Sequence, residues 1–477
     1  MLAVKTLKGA GWLILSRTLG RSIDFFTLLI LARLLAPTDF GTAALAISLV
    51  AIVDMVLEVP VTQALVRLPS IDKTHLDTGF TISCVRGLLT STIILLAAWP
   101  FSVLNNDPVL ASLICFLALG PVCRGLVSPA MVHYSRNLGF RRAFALELSS
   151  KICATIVVLI VVLSGGGYWA IVANFVVVSI ASTIASYVLA PYRPAFSFKQ
   201  LSSFTGFIGW YSLSQLIAAL NWQFDRLLVG SMSSRTTFGN YTVAGDVSVL
   251  PTQTVIGPAM QSVMAAFSQI NDNPERLRQA FLKAVRLVML VSTPICVGIS
   301  MSADIVTDLL LGAKWHEAAP LLSLLAIAVL PIPYFQVLVS LGLSLDKARS
   351  IFRLNLIDLC FRVVFIGSGV YFASVTGASY ARIFLAFLMG YFYIAGVREL
   401  IGLGVLVQLR NLWKIGCAVV LMAIAVHFLR DAIASRDIPI IAEMAIVGAI
   451  GSMVYLATLY GLGMRLSRGA GRLEVTG

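Results

Sequence analysis

Arg33-Leu34-Leu35-Ala36-Pro37-Thr38-Asp39-Phe40-Gly41, followed by Ala44-Leu45-Ala46, closes one long apolar segment with a polar turn and opens the next. Much later, Asp225-Arg226-Leu227-Leu228-Val229-Gly230, followed by Phe238-Gly239-Asn240-Tyr241 and Ala244, does the same. The two arginines are 193 residues apart. A second correspondence sets the i,i+4 pair Glu147/Lys151 against Asp358/Arg362, with an offset of 211 residues. Longer loops in the second half absorb the increase. The chain therefore reads as a duplicated unit of six apolar segments, with a further pair appended. Six is even, so both halves enter the membrane from the same side. That is a parallel repeat about an axis along the membrane normal. The expected division is residues 1–200, 201–402 and 403–477.

A bilayer core is about 30 Å thick and takes roughly 20 apolar residues to cross as helix. Working outward from the two turns, fourteen such segments are expected: 10–34, 40–66, 78–104, 108–131, 143–164, 167–190, 204–230, 238–267, 279–303, 317–345, 353–373, 376–401, 412–429 and 439–463. They are long and apolar on all sides, which fits helices rather than alternating barrel strands. The fold class expected is all-α, a polytopic membrane protein. Pro331 and Pro333 are expected to tilt or break the segment 317–345, and Pro121, Pro251, Pro258 and Pro294 to kink others.

Composition agrees. Of 477 residues 58% are hydrophobic and 12% charged, with mean hydropathy +0.92. A soluble domain carries roughly a quarter charged residues. A soluble enzyme, a disordered protein and a secreted disulfide scaffold are excluded. No cleavable signal is visible, so the first segment is expected to be retained. The net charge of +13 divides by position. With the N-terminus inside, 22 of the 35 Lys and Arg fall in inside loops and termini and 5 outside (Arg33, Arg235, Lys314, Arg430, Arg436). The bias places both termini in the cytoplasm. The seven cysteines all fall in apolar segments without metal-ligand spacing, so they read as buried small residues and no metal is expected. No loop is long enough for a catalytic domain. Gly165-Gly166-Gly167 precedes no basic residue and reads as a turn rather than a phosphate loop. No cofactor and no nucleic-acid partner are expected, and the chain is not expected to be an enzyme.

The ordered set of motifs resembles the polysaccharide flippases, the Wzx-type members of the multidrug/oligosaccharidyl-lipid/polysaccharide exporter superfamily. The two turns above carry the resemblance. So do Pro129-Ala130…Arg136-Asn137-Leu138-Gly139-Phe140, Gly167-Tyr168-Trp169-Ala170, and the run Leu309-Leu310-Leu311-Gly312-Ala313-Lys314-Trp315 through Ala318-Ala319-Pro320. The resemblance implies two six-helix lobes in a V around a central cavity. It also implies transfer of an undecaprenyl-diphosphate-linked oligosaccharide across a bacterial inner membrane, for exopolysaccharide, capsule or O-antigen. The partners it implies are the lipid-linked substrate, membrane lipids, and a polysaccharide polymerase with its export machinery.

Eight cations remain inside the apolar segments: Arg17, Arg21, Arg86, Arg124, Lys151, Arg226, Arg362 and Arg382. Charge at such depth needs a partner, water or an escape route. Arg17, Arg21 and Asp24 are spaced i, i+4, i+7 and share one helix face. Asp54 and Glu58, descending the second segment, fall at the levels of Arg21 and Arg17. Two readings stand. In one the charges are an interhelical ladder. In the other, the face lines the cavity and the arginine forks meet the substrate diphosphate, with Arg86 and Arg124 assisting. Lys151 and Arg362 are second-rank cavity residues, each with a local carboxylate. Asp24, Asp54 and Glu58 are the candidates for ion coupling. Arg226 and Arg382 lie near the outer end. His427 reads as a packed or lipid-shielded residue. Two other functions compete: an ion-coupled multidrug exporter on the same fold, and a membrane glycan polymerase, for which the outside loops are short.

Overall fold

The computed structural model describes the chain apart from residues 1, 68–69, 137–139, 202–215, 218–219, 222, 434–437, 470–471 and 477; the side chains of a further set, including 2–14, 16–17 and 465–477, are also outside the description. The chain is an all-α polytopic membrane protein. Each expected segment has a helical counterpart, the seventh being described only from residue 216 onward. Two compact units are present, Met1–Gly239 and Asn240–Gly477.

The first unit contains α1 (Leu2–Leu34), α2 (Pro37–Val56), α3 (Val61–Arg67), α4 (Lys73–Leu104), α5 (Val109–Leu117), α6 (Leu119–Gly125), α7 (Val132–Arg136), α8 (Phe140–Leu163) and α9 (Tyr168–Leu189). Helix α8 packs between α1 and α9, α4 packs on α6, and α6 on α9. The second expected segment, 40–66, is not one helix. It stops at Val56 and resumes as α3 because Pro60 lacks an N–H and forces its predecessor out of the helical region. Apolar side chains such as Leu96, Trp99 and Leu104 point outward from α4, as a lipid-facing surface requires.

At the first repeat turn, Pro37 opens α2, and Asp39 accepts a hydrogen bond from the Ala36 N–H at 3.1 Å, capping free donors at the helix start. The second repeat turn opens α10 (Arg235–Gln269). The two openings cross at their glycines. A Cβ on Gly41 would stand 1.8 Å from the Arg235 carbonyl oxygen, and one on Gly239 would stand 1.8 Å from that of Pro37. The contact is reciprocal: Gly239 follows Gly41, and Arg235 follows Pro37, by the same 198 residues along the chain. The Phe-Gly repeat seen in the sequence is thus a symmetric backbone crossing.

The second unit continues through α11 (Pro274–Met301), α12 (Ala303–Leu310), α13 (Ala318–Ala328), α14 (Ile332–Ser344), α15 (Ala348–Ile401), α16 (Val405–Ile433) and α17 (Ile440–Gly461). The break between α13 and α14 falls at Pro331, as the sequence predicts. Helix α15 reverses at Ala373 and Ser374, where Ser374 has φ 52 and ψ −136, so its two arms are two spans. The appended pair, α16 and α17, packs on α11 through Val297, Ile415, Met422, Val447 and Tyr455. Trp315, in the Gly-Ala-Lys-Trp run, is fully buried, and Asn240 donates to Glu317 at 3.1 Å, so this motif is a structural corner. Strands β1 (Arg465–Gly469) and β2 (Arg472–Thr476) pair antiparallel after the last of the expected apolar segments. Four of the seven cysteines (Cys115, Cys153, Cys360, Cys417) are exposed rather than buried; on spanning helices such positions face lipid. His427 is likewise 63% exposed, beside Asp431.

Candidate functional site

The break after Val56 builds the first charge cluster. A helix that ends leaves carbonyls without donors. Arg86, on α4, supplies them. Its Nε donates to the Leu57 carbonyl at 2.9 Å and its Nη2 to the Asp54 carbonyl at 3.0 Å. The same Nη2 lies 3.0 Å from Asp54 Oδ1 and 2.5 Å from Glu58 Oε2. Arg124, on α6, takes the other Asp54 oxygen: its Nη2 lies 2.8 Å from Oδ2. Its Nη1 donates to Ser179 Oγ at 3.1 Å, and its guanidinium lies over the Phe175 ring at 5.1 Å. Two guanidiniums thus share one carboxylate.

Glycines bring the arginines side by side. A Cβ on Gly87 would meet the Pro121 carbonyl oxygen at 2.6 Å, and one on Gly125 would meet that of Ser83 at 2.6 Å. Only without those side chains do α4 and α6 approach closely enough for Arg86 and Arg124, the preceding residues, to reach Asp54. Sequence reading missed Ser179 and Phe175. The glycine following each arginine was the available signal.

The second cluster lies between α1 and α8. Lys151 Nζ is 2.7 Å from Asp24 Oδ2, 3.5 Å from Glu147 Oε1, and donates to the Gly20 carbonyl at 3.0 Å. The local Glu147/Lys151 pair exists, but the shorter contact crosses to α1. Above it Thr27 and Thr155 join α1 to α8 at 3.1 Å.

The expected ladder rung between Arg21 and Asp54 is not formed. Asp54 and Glu58 are held by Arg86, with Arg124 also on Asp54; Asp24 is held by Lys151. Matching levels along two segments presumed that α1 and α2 are partners, whereas α1 packs chiefly on α8. Arg21 is exposed and has no ion-pair or hydrogen-bond partner among the described residues. The Arg17 side chain lies outside the described residues.

The second unit has a cluster of its own. Arg362 Nη2 lies 3.1 Å from Asp358 Oδ2, and both line a cavity of about 70 Å³ with Arg382, Met389 and Tyr393. Arg382 Nη1 donates to the Tyr241 hydroxyl at 3.2 Å. The structure therefore places Arg382 on a cavity wall, where depth along the segment suggested an outer-end residue. Among the described residues no three His, Cys, Asp or Glu side chains converge as a metal site.

Known proteins similar to this chain include a family, two relatives and two solved structures. A family model described as a polysaccharide biosynthesis protein matches residues 30–320. The succinoglycan biosynthesis transport protein ExoT of Rhizobium meliloti (strain 1021) is 25% identical over 331 residues, 67% of this chain and 65% of ExoT. The lipopolysaccharide biosynthesis protein WzxC of Escherichia coli (strain K12) is 21% identical over 331 residues, 68% of this chain and 66% of WzxC. The matched region thus spans just under two thirds of these relatives' length. Among solved structures, the lipid II flippase MurJ in an inward closed conformation gives a TM-score of 0.76 at 13% identity, covering 94% of this chain and 98% of MurJ. A multidrug resistance MATE family transporter in an inward-facing conformation gives 0.61 at 15% identity, covering 79% and 94%. At these identities the structural likeness is one of fold.

Proposed function

We propose that this chain, which belongs to the polysaccharide biosynthesis protein family, moves an undecaprenyl-diphosphate-linked oligosaccharide from the cytoplasmic to the outer leaflet of a bacterial inner membrane by alternating access. The observation that carries the site assignment is Arg21: an exposed guanidinium on a spanning helix, without a partner among the described residues, next to carboxylates that already hold other cations. A cation kept in an apolar span without a protein anion suits an anionic cargo, and the guanidinium fork fits diphosphate oxygens. Arg17, one turn earlier, shares the face. Arg86 and Arg124 reach the same anion by releasing Asp54 and Glu58, so they serve as a second tier that the cargo recruits. Lys151 and Arg362 rank second as cavity residues, and Asp24, Asp54 and Glu58 remain the candidates for ion coupling.

Both termini are assigned to the cytoplasm on the Lys/Arg bias. The proposed lobes are 1–200 and 201–402, with 403–477 appended. A polymerase and its export machinery are the proposed receivers of the product. The test is Arg21→Ala in a strain deleted for the chromosomal copy. Export is expected to stop and lipid-linked glycan to accumulate, with the protein still abundant in the membrane. Normal surface glycan from the variant would remove Arg21 from the site. The competing exporter reading predicts dye efflux that depends on the chain while surface glycan stays unchanged.

A further inference from the structure

After α9 the chain runs without regular structure through residues 191–198 before the seventh apolar segment begins. This strap is pinned to the first turns of α4. The Tyr192 hydroxyl donates to Asp77 Oδ1 at 2.8 Å, and the Ala195 N–H donates to the same oxygen at 2.9 Å. The Ser197 N–H donates to Thr81 Oγ1 at 2.9 Å and the Gln200 N–H to Thr78 Oγ1 at 3.4 Å. Asp77, Thr78 and Thr81 are all buried, so the side chains of one helix face replace the ladder partners the strap lacks.

The pins leave other side chains outward. Phe196 and Phe198 are 73% and 62% exposed, and Arg193 and Lys199 are exposed beside them. No acidic residue lies between 190 and 201. Lys73 and Arg141 are exposed nearby in sequence to α4's start and α8's start. Depth follows from α4. Its 32 residues make about 48 Å of helix, against a hydrocarbon core of about 30 Å. Roughly two turns at each end therefore lie at headgroup level. Asp77 and Thr81 are about 6 and 12 Å along the helix from Lys73. With the excess length shared equally between the two ends, the strap falls where headgroups meet acyl chains. Aromatic side chains flanked by cations at that depth are the pattern of an interfacial element.

We propose that residues 191–201 dock on anionic phospholipid headgroups, with Phe196 and Phe198 inserted at the acyl boundary and Arg193 and Lys199 on the lipid phosphates. Only the identity of the leaflet, the cytoplasmic one, rests on the orientation proposed above. The connection between the two repeats is then fixed on one side to α4 and on the other to the membrane surface.

The test uses the full chain in nanodiscs of phosphatidylcholine alone or of phosphatidylcholine with phosphatidylglycerol. Nanodiscs show the same lipid to both faces, so neither orientation nor transport enters the result. The wild type is expected to unfold roughly 2–4 °C higher with the anionic lipid. Arg193→Gln/Lys199→Gln is expected to match wild type in phosphatidylcholine and lose most of that increment. Amide exchange at Phe196 and Phe198 is expected to slow with phosphatidylglycerol in the wild type, a reading that needs no variant. An equal lipid response in wild type and variant, or amide exchange indifferent to phosphatidylglycerol, overturns the proposal. A variant that keeps the lipid response but loses export in cells also overturns it, and assigns the surface to a protein partner.

Discussion

Replacing Gly41 by alanine places a methyl group 1.8 Å from the Arg235 carbonyl oxygen. Cβ contacts under 3.0 Å essentially do not occur, so α2 and the start of α10 must part by about 1.2 Å or more. Neither side yields easily. The Arg235 guanidinium is tied to the Gly230 carbonyl at 3.0 Å, the Asn105 carbonyl at 3.3 Å and Asp107 at 3.3 Å. The obstacle is backbone rather than the free end of a side chain. Overpacking of this kind costs about 1–3 kcal/mol, and a backbone obstacle puts Gly41→Ala at about 3 kcal/mol. In thermal unfolding of a chain of 477 residues that is a drop of about 3 °C. Gly239→Ala should cost a similar amount, because its methyl meets the Pro37 carbonyl at the same 1.8 Å. The sharper test is the double variant. Once the first methyl has parted the backbones, the second finds space already made, so the pair should cost about 2 kcal/mol less than the sum of the singles. The assay is unfolding of the purified protein in one detergent, with membrane abundance as a control. Singles within about 0.5 kcal/mol of wild type, or a double that is simply additive, would refute the reciprocal crossing.

Asp54→Asn leaves Arg86 and Arg124 without the carboxylate they share, and should cost about 2–3 kcal/mol by thermal unfolding; an unchanged midpoint would show that the two cations find other anions. Gly87→Ala, 2.6 Å from the Pro121 carbonyl oxygen, should separate α4 from α6 and reproduce most of the Asp54→Asn loss without touching a charge, as a double-variant cycle between them would report. Lys151→Met and Asp24→Asn should each destabilise, and together cost less than their sum, because they remove the two ends of one ion pair, with Glu147 left as the remaining charge. Ser374→Gly should stabilise by about 1 kcal/mol, since φ 52 with ψ −136 is a region that favours glycine; a lower midpoint would place a needed contact on the serine hydroxyl.

The architecture was legible because lipid imposes long apolar periods and because turns carry their own chemistry. Phe40-Gly41 and Phe238-Gly239 marked the repeat, and Pro331 marked the break in the tenth segment. Pro60 carried the same signal for the second segment, where apolar flanks on both sides hid it. The ion pairs were not legible in the same way. Charge levels along each helix follow from counting residues, but which helices are neighbours is decided by packing: α1 lies on α8, so Asp24 meets Lys151, and Asp54 is left for α4 and α6. Arg382 illustrates the remaining gap. Its depth was readable, whereas the cavity it lines depends on the reversal at Ala373 and Ser374, which brings its helix back against Asp358.

The clusters of the first unit have an electrical consequence. Among the described side chains, Asp24, Asp54, Glu58 and Glu147 are equalled in number by Arg21, Arg86, Arg124 and Lys151, and Arg17 adds one cation. The protein's own intramembrane charge there is therefore one positive unit in excess. On the function proposed above, a diphosphate cargo then carries its two negative charges outward while the arginines that bind it stay in the membrane. With the cell interior negative, that displacement runs downhill, by about 2.3 kcal/mol per charge for each 100 mV. The resting potential alone would drive the cargo toward the outer leaflet, and export would slow in cells whose potential has been collapsed even where no ion gradient is coupled.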